Sequence, residues 1–316
     1  MVRGLAFFLL LATSAFAQPY PAKPTRIVVA FPAGGIADIY ARVLGARIGE
    51  AWGQPVVVEN RAGAGGVIAA EFVAKSAADG YTLCMCSVGT HAVNVSLFSK
   101  LPYDAVRDFA PVALVLEAEG LLVVHPTVPV NNVAELIAYA RGKPGTLSFA
   151  SAGMGTASHL AGELFKIMAK VEMTHVPYKG NVPAITDLLA GQTSLFFATM
   201  PTVLPHAKAG KLRPLATIGA TRSAAAPELP TVGESLAGFE VNNWIALFAP
   251  AGTPSDIVRR WNAEVARVMQ SKDIEARLPV EGARFTPNTP EQFAAFVKGE
   301  IAKWAPVVKA SGARVD

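Results

Sequence analysis

Cysteine is nearly absent from this 316-residue chain, which has only Cys84 and Cys86. A small fold stapled by several disulfides is thereby excluded. Charge is also sparse, at 16% of residues, and the net charge of +4 comes with no basic run. That is no footprint for nucleic acid. Past the N-terminus there is no long apolar span. The best stretch, residues 111–124, is interrupted by Glu117 and Glu119, short of the roughly 18 apolar residues a membrane helix needs. The histidines at 91, 125, 159, 175 and 206 show no His-Glu-x-x-His or comparable spacing, so neither metal nor cofactor is expected. There is no Gly-x-x-x-x-Gly-Lys-Ser/Thr loop, and no Gly-x-Gly-x-x-Gly opens the first unit, which points away from phosphate ligands.

What is present is apolar. Hydrophobic residues make up 52% of the chain, too many for disorder, and the length suggests two domains. Arg3, an apolar run over 5–11, and Ala15-Phe16-Ala17 compose a signal peptide cleaved after Ala17. The run is too short to span ~30 Å of hydrocarbon as an anchor. The mature chain is therefore expected to be soluble and exported. Cys84 and Cys86, two apart on one strand face, would sit roughly 6.5–7 Å apart, past comfortable disulfide reach, so buried thiols are expected.

Ten short β-branched or apolar runs read as strands: 26–31, 55–59, 81–86, 112–116, 121–125, 146–150, 174–178, 194–198, 213–218 and 244–249. Helical stripes lie between many of them, among them Ile39/Val43/Leu44 and Leu160/Leu164/Ile167/Met168. Two more close the chain: Ile257/Trp261/Val265/Val268, then Phe293/Phe296/Val297/Ile301/Trp304/Val308. Thr253-Pro254 and Thr289-Pro290 mark their starts, and Gln292 completes a capping box with Thr289. Strand–helix alternation with near-continuous apolar strands predicts α/β architecture with two parallel sheets.

One device occurs twice. Phe31-Pro32-Ala33-Gly34-Gly35-Ile36-Ala37-Asp38 follows the first strand, and Ser151-Ala152-Gly153-Met154-Gly155-Thr156-Ala157-Ser158-His159 follows another. Each leaves a strand, turns on glycines and enters a helix. First-turn N–H groups have no intrahelical acceptor, the helix dipole adds partial positive charge, and glycine admits close approach. An anion is favoured there, and a carboxylate over a phosphate. A helix terminus contributes ~0.3–1 kcal/mol, at most ~2, whereas micromolar binding needs about −8 kcal/mol. Hydroxyls near strand ends (Ser87, Thr90, Ser151, Thr156, Ser158), apolar walls and closure must supply the rest.

No catalytic constellation emerges. Ser151 lacks the leading glycine of a nucleophile elbow, His91 and His159 read as structural hydrogen-bonding groups, and Asp38 reads as a cap or turn organiser. An exported hydrolase using Ser151 with His159 is the remote alternative.

These turns, with further segments, resemble the extracytoplasmic solute-binding proteins of tripartite tricarboxylate transporters, the TctC or Bug family. The resemblance runs along the mature chain: Phe31-Pro32-Ala33-Gly34-Gly35 with Asp38, Ala41 and Arg42; Glu59-Asn60-Arg61-Ala62-Gly63-Ala64-Gly65-Gly66; Asp79-Gly80-Tyr81-Thr82-Leu83; Leu101-Pro102-Tyr103-Asp104 with Asp108-Phe109. It continues through Gly155-Thr156 with His159-Leu160-Ala161, His175-Val176-Pro177-Tyr178-Lys179-Gly180, and Trp244 leading to Ala249-Pro250-Ala251-Gly252-Thr253-Pro254.

The resemblance implies a type II periplasmic-binding-protein fold, two α/β domains around a ligand cleft joined by two crossing segments. The first domain would comprise 18–122 plus 240–316, with 123–239 inserted. It implies a non-enzymatic, monomeric periplasmic receptor that passes a small carboxylate to membrane permease subunits. The ligand classes it implies are di- and tricarboxylates, aromatic acids and acidic amino acids; a ligand-loaded signalling partner is the alternative role. Carried over, the ligand would meet Phe31, Gly35, Ile36 and Asp38, with Gly89 and Thr90 on the same wall and Ser151, Gly153, Thr156 and Thr199 opposite. The chain departs from the family at Val95, at Phe98, and at Ala198-Thr199-Met200, where many members carry an aspartate. That last departure weakens the case for an amino-acid ligand.

Overall fold

A computed structural model describes residues 20–315 of the protein. The signal peptide expected over 1–17, with cleavage after Ala17, falls outside the described residues. In chain order the elements begin β1 (Thr25–Val29), α1 (Ile36–Trp52), β2 (Val56–Asn60), α2 (Val67–Ala74), β3 (Thr82–Ser87) and α3 (Asn94–Leu97). Next come β4 (Phe109–Ala118), β5 (Gly120–Val124), α4 (Val133–Gly142), β6 (Ser148–Ser151), α5 (Ala157–Ala169) and β7 (Thr174–Pro177). They are followed by α6 (Asn181–Leu189), β8 (Leu195–Thr199), α7 (Met200–Lys208), β9 (Arg213–Thr217) and α8 (Val232–Ser235). The chain closes with β10 (Asn243–Pro250), α9 (Ser255–Met269), α10 (Lys272–Val280), β11 (Ala283–Arg284) and α11 (Pro290–Ser311).

Two sheets result. One has the order β11-β4-β10-β3-β1-β2, the other β7-β6-β8-β5-β9. The first draws strands from both ends of the chain; the second takes the stretch between. The chain passes from one sheet to the other at Glu119 and back over 218–242. Backbone bonds fasten both crossings: Met200 N to Glu119 O at 2.7 Å, Glu119 N to Gly282 O at 2.8 Å, and Val241 N to Ile218 O at 2.8 Å. This is a type II periplasmic-binding-protein fold.

The sheets are mixed, which corrects the all-parallel expectation. β1 runs parallel to β2 and β3, and β6 parallel to β7 and β8. By contrast β10 is antiparallel to β3 and β4, and β5 antiparallel to β8 and β9. Each reversed strand adjoins a crossing. All of β5 and nearly all of β10 are buried, so their apolar runs look like those of parallel strands and carry no sign of direction.

Three local expectations are also corrected. Cys84 and Cys86 are disulfide-bonded: their Cα atoms are 5.5 Å apart, closer than in a fully extended strand, and inside bridging range. Thr253 does not cap α9; its hydroxyl donates to Pro250 O, because the chain is still turning there and the helix begins two residues later. Ile167, assigned to the buried stripe of α5, is 39% exposed, since that stripe drifts off the core face toward the helix end. The capping box at α11 is formed, with Thr289 and Gln292 exchanging both bonds. Among the described residues no helix is long and apolar enough to cross a membrane.

Candidate functional site

The first glycine turn is held open by one carboxylate. β1 buries its apolar residues and stops at Val29; Gly34, at φ +85°, reverses the chain, and Gly35 in extended conformation starts α1. Asp38, almost fully buried, accepts from Gly34 N at 3.0 Å, from Arg42 Nη2 at 2.8 Å and Nε at 3.1 Å, and from Asn60 Nδ2 at 2.9 Å. Burial disfavours its charge, but these donors outweigh burial and hold the carboxyl below its ordinary range. Asn60 Nδ2 also donates to Phe31 O at 3.0 Å. Asp38 thus faces inward and shapes the turn. The first-turn amides of α1 are left facing outward.

The second turn is self-sufficient to a degree the sequence did not suggest. Ala152 N donates to Ser158 Oγ (3.0 Å), Gly153 N to Ser151 Oγ (3.2 Å), Gly155 N to His159 Nδ1 (3.2 Å) and Thr156 N to Gly153 O (3.2 Å). Thr156 Oγ1 donates to Gly153 O at 2.7 Å. These bonds fix the loop; the amides opening α5 at Ala157 and Ser158 have no intrahelical acceptor.

Both turns line one cleft, of about 570 Å³ including its open mouth. Phe31, Pro32, Gly35, Ile36 and Ala37 form one wall with Ser87, Asn243 and Ile245; Ala152, Thr156, Ala157, Ser158, Asn181, Val182 and Thr199 form the other. Most lie at the carboxyl ends of β1, β3, β6 and β8, where open α/β sheets bind ligands, with Asn243 and Ile245 at the amino end of antiparallel β10 and Asn181 and Val182 at the start of α6. The walls touch. Asn243 Nδ2 donates to Thr199 Oγ1 at 3.1 Å across the cleft, and Asn181 Nδ2 reaches the same oxygen at 3.4 Å. At the rim Gly65, φ +62°, leaves no room for a Cβ beside Met154 O, and a Cβ on Gly89 would lie 2.9 Å from Gly155 O. The lobes are drawn together.

Of the sequence-derived candidates, Phe31, Gly35, Ile36, Thr156 and Thr199 line this cleft, with the hydroxyl residues Ser87 and Ser158. Gly153 lines a neighbouring cleft with Gly63–Gly66, Met154 and Lys179. Asp38, Thr90 and Ser151 lie behind the wall, and Gly89 sits at the contact between the lobes, against Gly155. Thr90 is fully buried; its Oγ1 donates to Ser87 O at 2.8 Å and accepts from Ser87 N at 3.0 Å. Asn181, Val182, Asn243 and Ile245 were missed. Asn181 could have been found, since Gly180-Asn181 is a third glycine entrance to a helix, whereas nothing in the local sequence marks Asn243.

Ser151 Oγ is fully buried, 2.6 Å from His175 Nε2 rather than paired with His159. The His159 and His175 rings stack with centroids 4.3 Å apart. Burial pushes His159 down to about 4, and burial with the nearby His159 pushes His175 down to about 3. Both stay neutral at pH 7 and brace the turn from behind. Among the described residues no group of three His, Cys, Asp or Glu side chains is placed to hold a metal.

Two α/β lobes closing on a cleft at their strand ends define a two-lobe solute-binding protein. Residues 40–313 match the family described as "Tripartite tricarboxylate transporter family receptor", and the chain belongs to that family, the TctC or Bug receptors. Protein BugT of Bordetella pertussis is 39% identical over 323 aligned residues, covering 100% of this chain and 99% of that one. The solved structure "R. palustris Rpa4515 with adipate" is 39% identical with a TM-score of 0.90, covering 94% of this chain and 100% of the other. MatC from Rhodopseudomonas palustris "with bound malate" is 36% identical with a TM-score of 0.87, covering 92% and 100%.

Proposed function

We propose that this receptor captures a small organic carboxylate in the periplasm and hands it to the permease subunits of a tripartite tricarboxylate transporter. The observation that carries the reading is the convergence of both glycine-turn helix entrances on one cleft. Two relatives solved with adipate and with malate, both carboxylates, support it. In this reading the carboxylate sits on the outward amides of the first turn, at Gly35 and Ile36. The second lobe then closes with Thr156, Ser158 and Thr199. Its moving bodies are 18–122 with 240–316, and 123–239, with the start of β5 travelling with the second sheet. Closure shifts an open–closed equilibrium, and the permease reads the closed shape. No chemistry on the ligand is required.

The test is a thermal-shift screen against mono-, di- and tricarboxylates. A free acid at about 100 times its Kd adds ~2.7 kcal/mol of stability, a readily measured rise in Tm. No response to any acid would refute the reading. Deleting the gene should abolish uptake of the acid found; intact uptake with lost ligand-dependent transcription would assign signalling instead.

A further inference from the structure

We propose that Lys179 draws the anion into the cleft: it is an unpaired cation on the second lobe that speeds capture and then stays outside the grip. The proposal rests on the carboxylate reading above and adds its kinetics. Of the residues lining the main cleft and its neighbour, Lys179 is the one that carries charge. The helix entrances of the main cleft hold partial charges whose pull fades within about a turn. They grip an acid that has arrived and do little to fetch one. A full charge acts through water over a Debye length, about 8 Å at physiological salt.

The position suits that role. The two clefts are continuous, sharing Phe31, Pro32 and Ala152. The arginines beside the first turn are already paired, Arg42 with Asp38 and Asn60, and Arg61 with Glu59. Lys179 is exposed, and its ammonium makes no hydrogen bond or ion pair among the described residues. Its backbone is nonetheless held. Tyr178 N donates to Ser151 O at 3.0 Å, Tyr178 Oη donates to Asp187 Oδ2 at 2.8 Å, and a Cβ on Gly180 would lie 2.8 Å from Pro32 Cδ. Pro32 belongs to the turn that leads to Gly35 and Ile36. The ammonium is thus tethered beside the place where the carboxylate lands, and Gly63–Gly66 in the same cleft present no side chain larger than a methyl group.

Rapid-mixing kinetics on the purified protein test this. The probe is whichever of butyrate, benzoate, malate, adipate and citrate gives the largest thermal shift. At about 10 mM salt, Lys179→Ala should lower the association rate about fivefold and change the dissociation rate less than about twofold. At about 1 M salt, where the Debye length falls to ~3 Å, variant and wild type should converge. Lys179→Arg should restore the rate and Lys179→Glu should lower it further, with melting transitions matched to wild type. A wild-type association rate in Lys179→Ala at low salt overturns the inference but leaves the carboxylate reading intact. So does a loss that survives high salt or resists the arginine replacement, which would mark packing rather than charge. A loss confined to the dissociation rate also overturns it, marking a contact in the bound state. If none of the five acids binds the wild-type protein, the carboxylate reading fails and takes this inference with it.

Discussion

Asp38 carries more of the first turn than any other side chain, and its role is mechanical. Replacing it with alanine leaves Gly34 N–H, Asn60 and Arg42 without their shared acceptor. Hydrogen bonds to a charged group are worth about 1.5–3 kcal/mol, and that is the expected loss in urea denaturation, reduced because Arg42 is half exposed. Ligand affinity should fall too, since the amides it aims would drift. The carboxyl sits below its ordinary value in the folded state, so this stability is present above about pH 4 and is lost as pH falls further. The histidines act at higher pH. Burial pushes His91 down to about 3 and His159 to about 4, whereas the unfolded chain takes up protons near 6.5. Stability should therefore decline as pH drops from about 6.5 toward 4, each group contributing up to about 1.4 kcal/mol per pH unit. Urea midpoints at pH 7, 6 and 5 measure it, and a flat profile would contradict neutral buried histidines.

At the scale of elements, the α11 cap is a contribution separable from binding. Thr289→Ala removes one arm of a formed capping box and should cost about 1 kcal/mol with no change in ligand affinity. All ten strands legible as β-branched runs are present, and so are the amphipathic helices at the C-terminus. Strand direction was hidden because burial on both faces erases the alternation that would betray it; two-residue β11 had no pattern to show. Within the site, both glycine turns were readable because strand–glycine–helix junctions dictate where amides point. What sequence could not resolve was which side chains face the cleft and which support it. Thr90 and Ser151 have the same chemistry as Ser87 and Ser158, yet their hydroxyls are engaged inward, with Ser87 O and with His175 Nε2. Asn243 was out of reach for a different reason: it meets Thr199 only because β10 returns from the second lobe, a contact across 44 residues.

For the whole molecule, closure is a contact between lobes at the cleft rim as well as within it. Gly65 approaches Met154 O so closely that any side chain would hold the lobes apart. Gly65→Ala should lower the ligand-free stability only modestly, by about 1–2 kcal/mol for a residue held at positive φ, because opening relieves the clash. Its affinity for the acid should drop by about tenfold or more, the closed state being penalised by at least ~1.4 kcal/mol. Solution scattering should show a more open average shape with ligand than wild type does. A carboxylate is expected to be gripped where the two helix entrances face each other. A crystal structure with the tightest-binding acid tests it directly. The carboxylate should lie within hydrogen-bond distance of the main-chain amides at Gly35 and Ile36, with Thr156 or Ser158 closing from the other lobe. A carboxylate paired instead with Lys179, or seated outside this cleft, would contradict it.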